Sequence, residues 1–305
     1  MSLFLFIFVY FFIQIKADEI ANRIKNYISK NNLPLVLTEK IHDNEAGSMS
    51  STYFGYLKTS NQTRISIVIK YSSFQTTWNY IHASEFEHLY ERHCFQPIKS
   101  NRNEYLVLKQ DKNRILTEGW IPSEIYVGFK GYFCSNLMPT LSIVSPMYSY
   151  FSFFHSIEQD DRSRTYFLVF QRLINGISLK TYVESHANRL TLETTKYLIY
   201  SILIAIEKLK RLFIIHLDLN LGNLFLMTND QQHPIRFIDF GVMKFIHSSE
   251  QTHIFYSEIL HNSLRTIFLN CSSCQTHSTL IFSQNYRKNF EIYSIESILN
   301  HSWFF

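Results

Sequence analysis

Between Thr191 and Leu212 the apolar residues Leu198, Ile199, Ile202, Leu203, Ile206 and Leu209 recur at helical spacing, with lysines and glutamates between them. That period predicts a long, largely buried helix. Downstream the pattern shortens: Asn223 to Met227 and Ile235 to Ile238 read as two short strands joined by a polar turn over Thr228 to Pro234. Upstream, Arg64 to Lys70 is an alternating, β-branched run that ends in lysine, and it predicts a strand. Thr77 to His93 is assigned to a helix. Tyr166 to Leu173 reads as a buried strand running into an extended linker, and Asn175-Gly176 then turns the chain into a helix containing Leu179 and Val183. Leu3 to Ile15 is continuously apolar, yet shorter than the roughly 20 residues of a spanning helix and without the basic flank of a signal peptide. A weak signal or anchor, a buried N-terminal element and an imprecise start all stay open for this leader, residues 1–16, and membrane association stays open with them.

Composition narrows the class. The 305 residues are 46% apolar, enough for a real core, and Phe 27 and Tyr 19 against Gly 8 and Pro 6 leave little room for low-complexity linker. The net charge of +4 is mild and spread along the chain, so no direct nucleic-acid binding can be argued from it. Four cysteines are too few for a disulfide scaffold at this length; only Cys271-Ser272-Ser273-Cys274 has a chelating spacing, with His277 nearby and no second such pair. The sequons Asn61-Gln62-Thr63 and Asn270-Cys271-Ser272 would fit secretion, but such triplets arise often by chance. An intracellular location, nucleus or cytoplasm, is the expectation, and oligomeric state is left open.

The chemistry concentrates in His216-Leu217-Asp218-Leu219-Asn220-Leu221-Gly222-Asn223 and in Asp239-Phe240-Gly241. A carboxylate five residues before an amide, followed by a second carboxylate in a D-F-G run, is what phosphoryl transfer from ATP requires. Asp218 would orient a hydroxyl nucleophile, while Asn223 and Asp239 would hold Mg2+ on the phosphates. The bland alternative is a polar loop after an apolar helix. On the nucleotide side, Lys70 at the end of its strand would contact the α and β phosphates. Glu85, in the Glu85-Phe86-Glu87-His88-Leu89 run, would turn inward to pair with it, with Glu87 and Glu91 as competitors. Gly47 and Ser48 would open a phosphate loop that keeps one glycine of G-x-G-x-x-G, since Met49 and Thr52 replace the others. Phe170 would border the adenine, and the backbone of Gln171 to Leu173 would meet the edge of the base.

Taken together, Lys70, Glu85, HxDxxxxN and DFG make residues about 40 to 245 resemble a eukaryotic-type protein kinase. Within that superfamily the chain is most similar to the haspin family, atypical kinases that phosphorylate a threonine near the amino terminus of histone H3. The residues that carry the likeness are Leu221-Gly222-Asn223 in the H-x-D-L-x-x-G-N loop and Gly176-Ile177-Ser178-Leu179, similar to the family's G-I-D-L. They also include a long segment with Tyr126-Val127-Gly128-Phe129, Cys134, Pro139, Leu141 and Tyr150, and no A-P-E motif follows DFG. Leu217 departs from the haspin arginine, and a regular DFG departs from the haspin pattern.

The resemblance implies an α+β, bilobal kinase-like fold, with residues 17–170 as an N-lobe carrying a long insert and 171–305 as a shortened C-lobe. It implies ATP and Mg2+ as cofactors and a protein substrate, the histone H3 tail in a haspin-like enzyme. It also implies, through Leu217, that activity does not depend on loop phosphorylation. Glu291 to Ile295 resembles the start of one late kinase helix and Ile298 to Phe304 the close of a kinase domain; both cannot hold, and the former is preferred. Two other classes stand beside the active protein kinase: a pseudokinase or nucleotide-binding interaction module, favoured by the poor glycine loop and Leu217, and a small-molecule kinase of aminoglycoside or choline type.

Overall fold

The computed structural model describes residues 21–30, 32–40, 51–58, 63–73, 80–82, 120–125, 127–128, 147–154, 164–211, 214–231, 234–245, 258–272 and 274. These residues divide between two compact units.

The first unit holds helix α1 (residues 21–30) and strands β1 (Leu35–Lys40), β2 (Ser51–Lys58) and β3 (Arg64–Ser73). Strands β4 (Tyr80–His82) and β5 (Trp120–Pro122) belong to the second unit. Strands β6 (Met147–Phe154) and β7 (Arg164–Gln171) complete a five-stranded sheet in the order β1-β2-β3-β7-β6. β-branched and aromatic residues alternate along β2 and β3, so each face of the sheet carries its own set. One face buries Tyr53, Ile67, Ile69 and Val169 with Leu35, and Ile24 of α1 packs into the same cluster. The register sets the other face: Thr52 lies opposite Lys70 and Lys70 opposite Leu168, while the neighbouring row is Phe54, Val68 and Phe170. Gly55 is required where β1 and β2 approach most closely, because a Cβ there would sit 2.4 Å from the Val36 carbonyl oxygen.

The expected helix over Thr77 to His93 is not what forms at its start: Tyr80–His82 is the strand β4, paired antiparallel with β5. An aromatic and β-branched tripeptide with a partner strand gains a ladder that a helical turn there would forgo. The rest of that expected helix, with Glu85, Glu87 and Glu91, lies outside the described residues, as do the apolar leader, Gly47, Ser48 and Glu291 to Phe305.

The second unit then runs through β8 (Gly176–Ser178), α2 (Leu179–Ser185), α3 (Leu192–Arg211), β9 (Ile214–Ile215), β10 (Leu224–Met227), β11 (Ile235–Phe237), β12 (Lys244–Phe245) and α4 (Glu258–Leu269). Ser178 caps α2, its hydroxyl accepting the Thr181 N–H at 3.1 Å. Thr191 does the same for α3, accepting from the Thr194 N–H. The apolar stripe of α3 is buried as its spacing predicts and packs against Leu224, Ile235, Phe237, Phe240 and, from α4, Leu264, Ile267 and Phe268. Cys271 and Cys274 form a disulfide just past α4, so their spacing serves a covalent link and not a chelate. Among the described residues no helix is long and apolar enough to cross a membrane.

Thr195 carries the stripe one turn further toward the start of α3, and it is fully buried with a hydroxyl that has no hydrogen-bond partner. Thr195→Val keeps the shape and removes the desolvated hydroxyl, so unfolding should shift up by about 1 kcal/mol, or roughly 2–4 °C in a thermal melt. Gly55→Ala should shift the same melt down, since backbone and not a yielding side chain occupies the space.

Candidate active site

Two loops of the second unit are drawn together by their flanking strands. β9, which precedes His216, pairs antiparallel with β12, which follows Gly241. β10, which follows Asn223, pairs with β11, which precedes Asp239. The loop 216–223 and the loop 238–243 are therefore each tethered at both ends to the same partner. The ladder also runs one step beyond β10 and β11, the Ile238 N–H donating to the Asn223 carbonyl at 3.1 Å. Asp239 follows directly, so the two residues expected to hold metal emerge from adjacent chains.

His216 fastens the loops internally. Its Nε2 lies 2.8 Å from the Ile238 carbonyl oxygen, and the Asp218 N–H approaches its Nδ1 at 3.3 Å. A carbonyl can only accept and a backbone N–H can only donate, so the ring is neutral with its proton on Nε2. The imidazole is 1% exposed and lies against Phe240 and Phe237, with ring centroids 4.6 and 5.9 Å away.

Around Asp218 the hydrogen bonds fix both side-chain amides. Asn223 Nδ2 donates to the Asp218 carboxylate (Oδ2) and to the Asp218 carbonyl, each at 2.9 Å. Both partners are acceptors, which leaves Asn223 Oδ1 directed elsewhere as a hard oxygen donor. Asn220 Nδ2 donates to Asp218 Oδ1 at 2.9 Å, while Asn220 Oδ1 accepts from the N–H groups of Gly222 and Asn223 at 2.9 and 3.2 Å. From the other side of the loop, the buried hydroxyl of Ser263 on α4 donates to the Leu219 carbonyl at 2.9 Å. Leu217 and Asp239 both adopt positive φ, 64° and 60°, a conformation that costs non-glycine residues about 1–3 kcal/mol each and persists only where the surroundings impose it.

The Asn223 side-chain oxygen and the Asp239 carboxylate are both hard oxygen donors of the kind magnesium takes. Those two residues fit the ion that the motif implies. Among the described residues no group of three or more His, Cys, Asp and Glu could hold a metal without substrate.

Of the other expected residues, Lys70, Phe170 and Gln171 lie in the first unit. Lys70 is 7% exposed, far more buried than a solvated strand-end lysine, and it shares a sheet face with Phe170 through the Val68–Phe170 and Lys70–Leu168 pairs. Arg172 stacks its guanidinium on the Phe54 ring at 4.0 Å, and its N–H donates to the Ser66 carbonyl. That N–H is thus committed within the sheet. The Leu173 carbonyl in turn accepts the Gly176 N–H at 3.1 Å. Asn220, Ser263 and the buried acid Glu124, 2% exposed, were not singled out in the sequence. A capping role for Asn220 was detectable from its place two residues before a glycine in a tight loop.

The family model for the protein kinase domain matches residues 141–265, a stretch that contains both loops and lies downstream of Lys70. The match supports kinship with the eukaryotic protein kinases, and phosphoryl transfer to a protein, with ATP and a divalent metal, is that family's general chemistry. Mixed helices and antiparallel sheets fit an α+β fold of that kind. No curated protein matches the chain.

His216→Phe preserves the ring contacts but strands the Ile238 carbonyl and the Asp218 N–H. A loss of about 1–3 kcal/mol in unfolding free energy is expected, read by chemical denaturation against wild type.

Proposed function

We propose that the chain is an ATP- and magnesium-dependent serine/threonine protein kinase of haspin-like type, acting on the histone H3 tail in the nucleus or cytoplasm. The observation that carries this reading is the Asp218 carboxylate held by two side-chain amides in a loop tied to the D-F-G turn. Asp218 orients the substrate hydroxyl and accepts its proton as the hydroxyl oxygen bonds to the γ-phosphorus and the bond to the bridging oxygen of ADP breaks. Asn223 and Asp239 would hold magnesium, which would supply charge neutralisation on the phosphates. On this reading Lys70 would bind the α and β phosphates with Glu85 as its partner, Gly47 and Ser48 would open the phosphate loop, and Phe170 would border the adenine. Leu217 offers no docking charge to a phosphorylated loop, so activity is independent of such phosphorylation.

One observation favours a second reading, a nucleotide-binding module without transfer. Thr52, in place of a loop glycine, lies directly opposite Lys70 on β2 and shares its sheet face, where a side chain hinders close approach of phosphate.

Transfer of radiolabel from ATP to a panel of histone and generic peptides decides between them. Wild type should label the H3 tail, and Asp218→Asn, Asp239→Ala and Lys70→Ala should each lose at least about 100-fold in rate. A thermal shift with Mg-ATP but labelling no higher than with Asp218→Asn would establish the binding module instead.

A further inference from the structure

Resting on the phosphotransfer reading above, we propose that Asn220 is a positioning residue for Asp218. One half of its amide builds the loop, and the other half aims the carboxylate.

The two halves are separable on the hydrogen bonds. Oδ1 gathers the Gly222 and Asn223 N–H groups, closing a turn that the Asn223 N–H also closes on the Asn220 carbonyl at 3.1 Å. Nδ2 does none of this; its bond is to Asp218 Oδ1. With Asn223 Nδ2 on Oδ2, each carboxylate oxygen takes one amide proton, so the plane of the carboxylate is set from two directions. Each oxygen keeps a further lone pair for a substrate hydroxyl. Both donors are neutral, so Asp218 is aimed without its charge being cancelled, which a lysine at position 220 would do. Gly222 fits the same arrangement, since a Cβ there would lie 3.0 Å from Asn220 Oδ1.

The chemistry of Asn220→Asp isolates the second half. An aspartate retains an oxygen for the two backbone N–H groups but replaces the donor to Asp218 with a second carboxylate. Asp218 then loses the donor on Oδ1 that helps to set its plane, while the turn over Gly222 and Asn223 keeps its acceptor. Asn220→Ala removes both halves.

The test measures the chain in three forms, wild type, Asn220→Asp and Asn220→Ala, for melting temperature, kcat and KM for ATP. For Asn220→Asp the expected result is a melting temperature above that of Asn220→Ala and an unchanged KM for ATP. Its kcat should fall at least about 10-fold. Asn220→Ala should lose both melting temperature and kcat. Asn220→Asp with wild-type kcat overturns the positioning role while leaving the phosphotransfer reading intact. A melting temperature that falls as far as that of Asn220→Ala assigns Asn220 to the loop alone and also overturns it. Wild-type chain that transfers no phosphate above the Asp218→Asn background overturns the reading beneath, and this one with it.

Discussion

A neutral imidazole between two acceptor and donor groups of fixed character holds the rest of the second unit's site in place. His216 gives its one proton to the Ile238 carbonyl and turns its bare nitrogen to the Asp218 N–H, so the same ring fixes the start of one loop and the strand end before Asp239. Protonation of the second nitrogen would set donor against donor, and the phenylalanines around the ring give a charge no solvation. With the β9–β12 and β10–β11 pairs on either side, the loops are held by backbone ladders outside and by one side chain within. That over-determination is what allows Leu217 and Asp239 to remain at positive φ.

The support extends to the core. α3 delivers the chain to β9 because its apolar stripe is buried against β10, β11 and α4, and α4 reaches back to the loop through Ser263. A change in how α4 packs would therefore be felt at the Leu219 carbonyl, one residue from Asp218. The disulfide at Cys271 and Cys274 closes the chain just beyond α4, where the Leu190 and Cys271 backbones also form a bridge.

Much of this was legible in the sequence wherever the determinant is local. The period of α3, the strand pair after Asn223 and the helix that follows Asn175-Gly176 each depend on residues within a few positions of one another, and all three form. The closeness of Asp218 and Asn223 was legible for the same reason, since five residues of tight loop set their contact. Tyr80 to His82 was misread because its strand exists only through a partner some 40 residues away, which no local period discloses. Ser263 was invisible because a polar residue on an amphipathic helix gives no sign of which carbonyl it will meet. The Cys271–Cys274 spacing suits a chelate or a disulfide equally, and spacing alone could not separate them.

The electrostatics of the loops fix how the remaining charge must be supplied. Between His216 and Asn223, and between Ile238 and Met243, the sequence contains two carboxylates and no lysine or arginine, and the one histidine is neutral. Arg236, the nearest basic residue on the hairpin, is engaged with Asp230 at 2.7 Å. Every donor aimed at Asp218 is an uncharged amide. A triphosphate brought to such a pair of acids meets like charge, and in a site partly shielded from water that repulsion is several times stronger than in bulk solvent. An anion held there needs its charge offset from outside these loops, which contribute no basic side chain of their own.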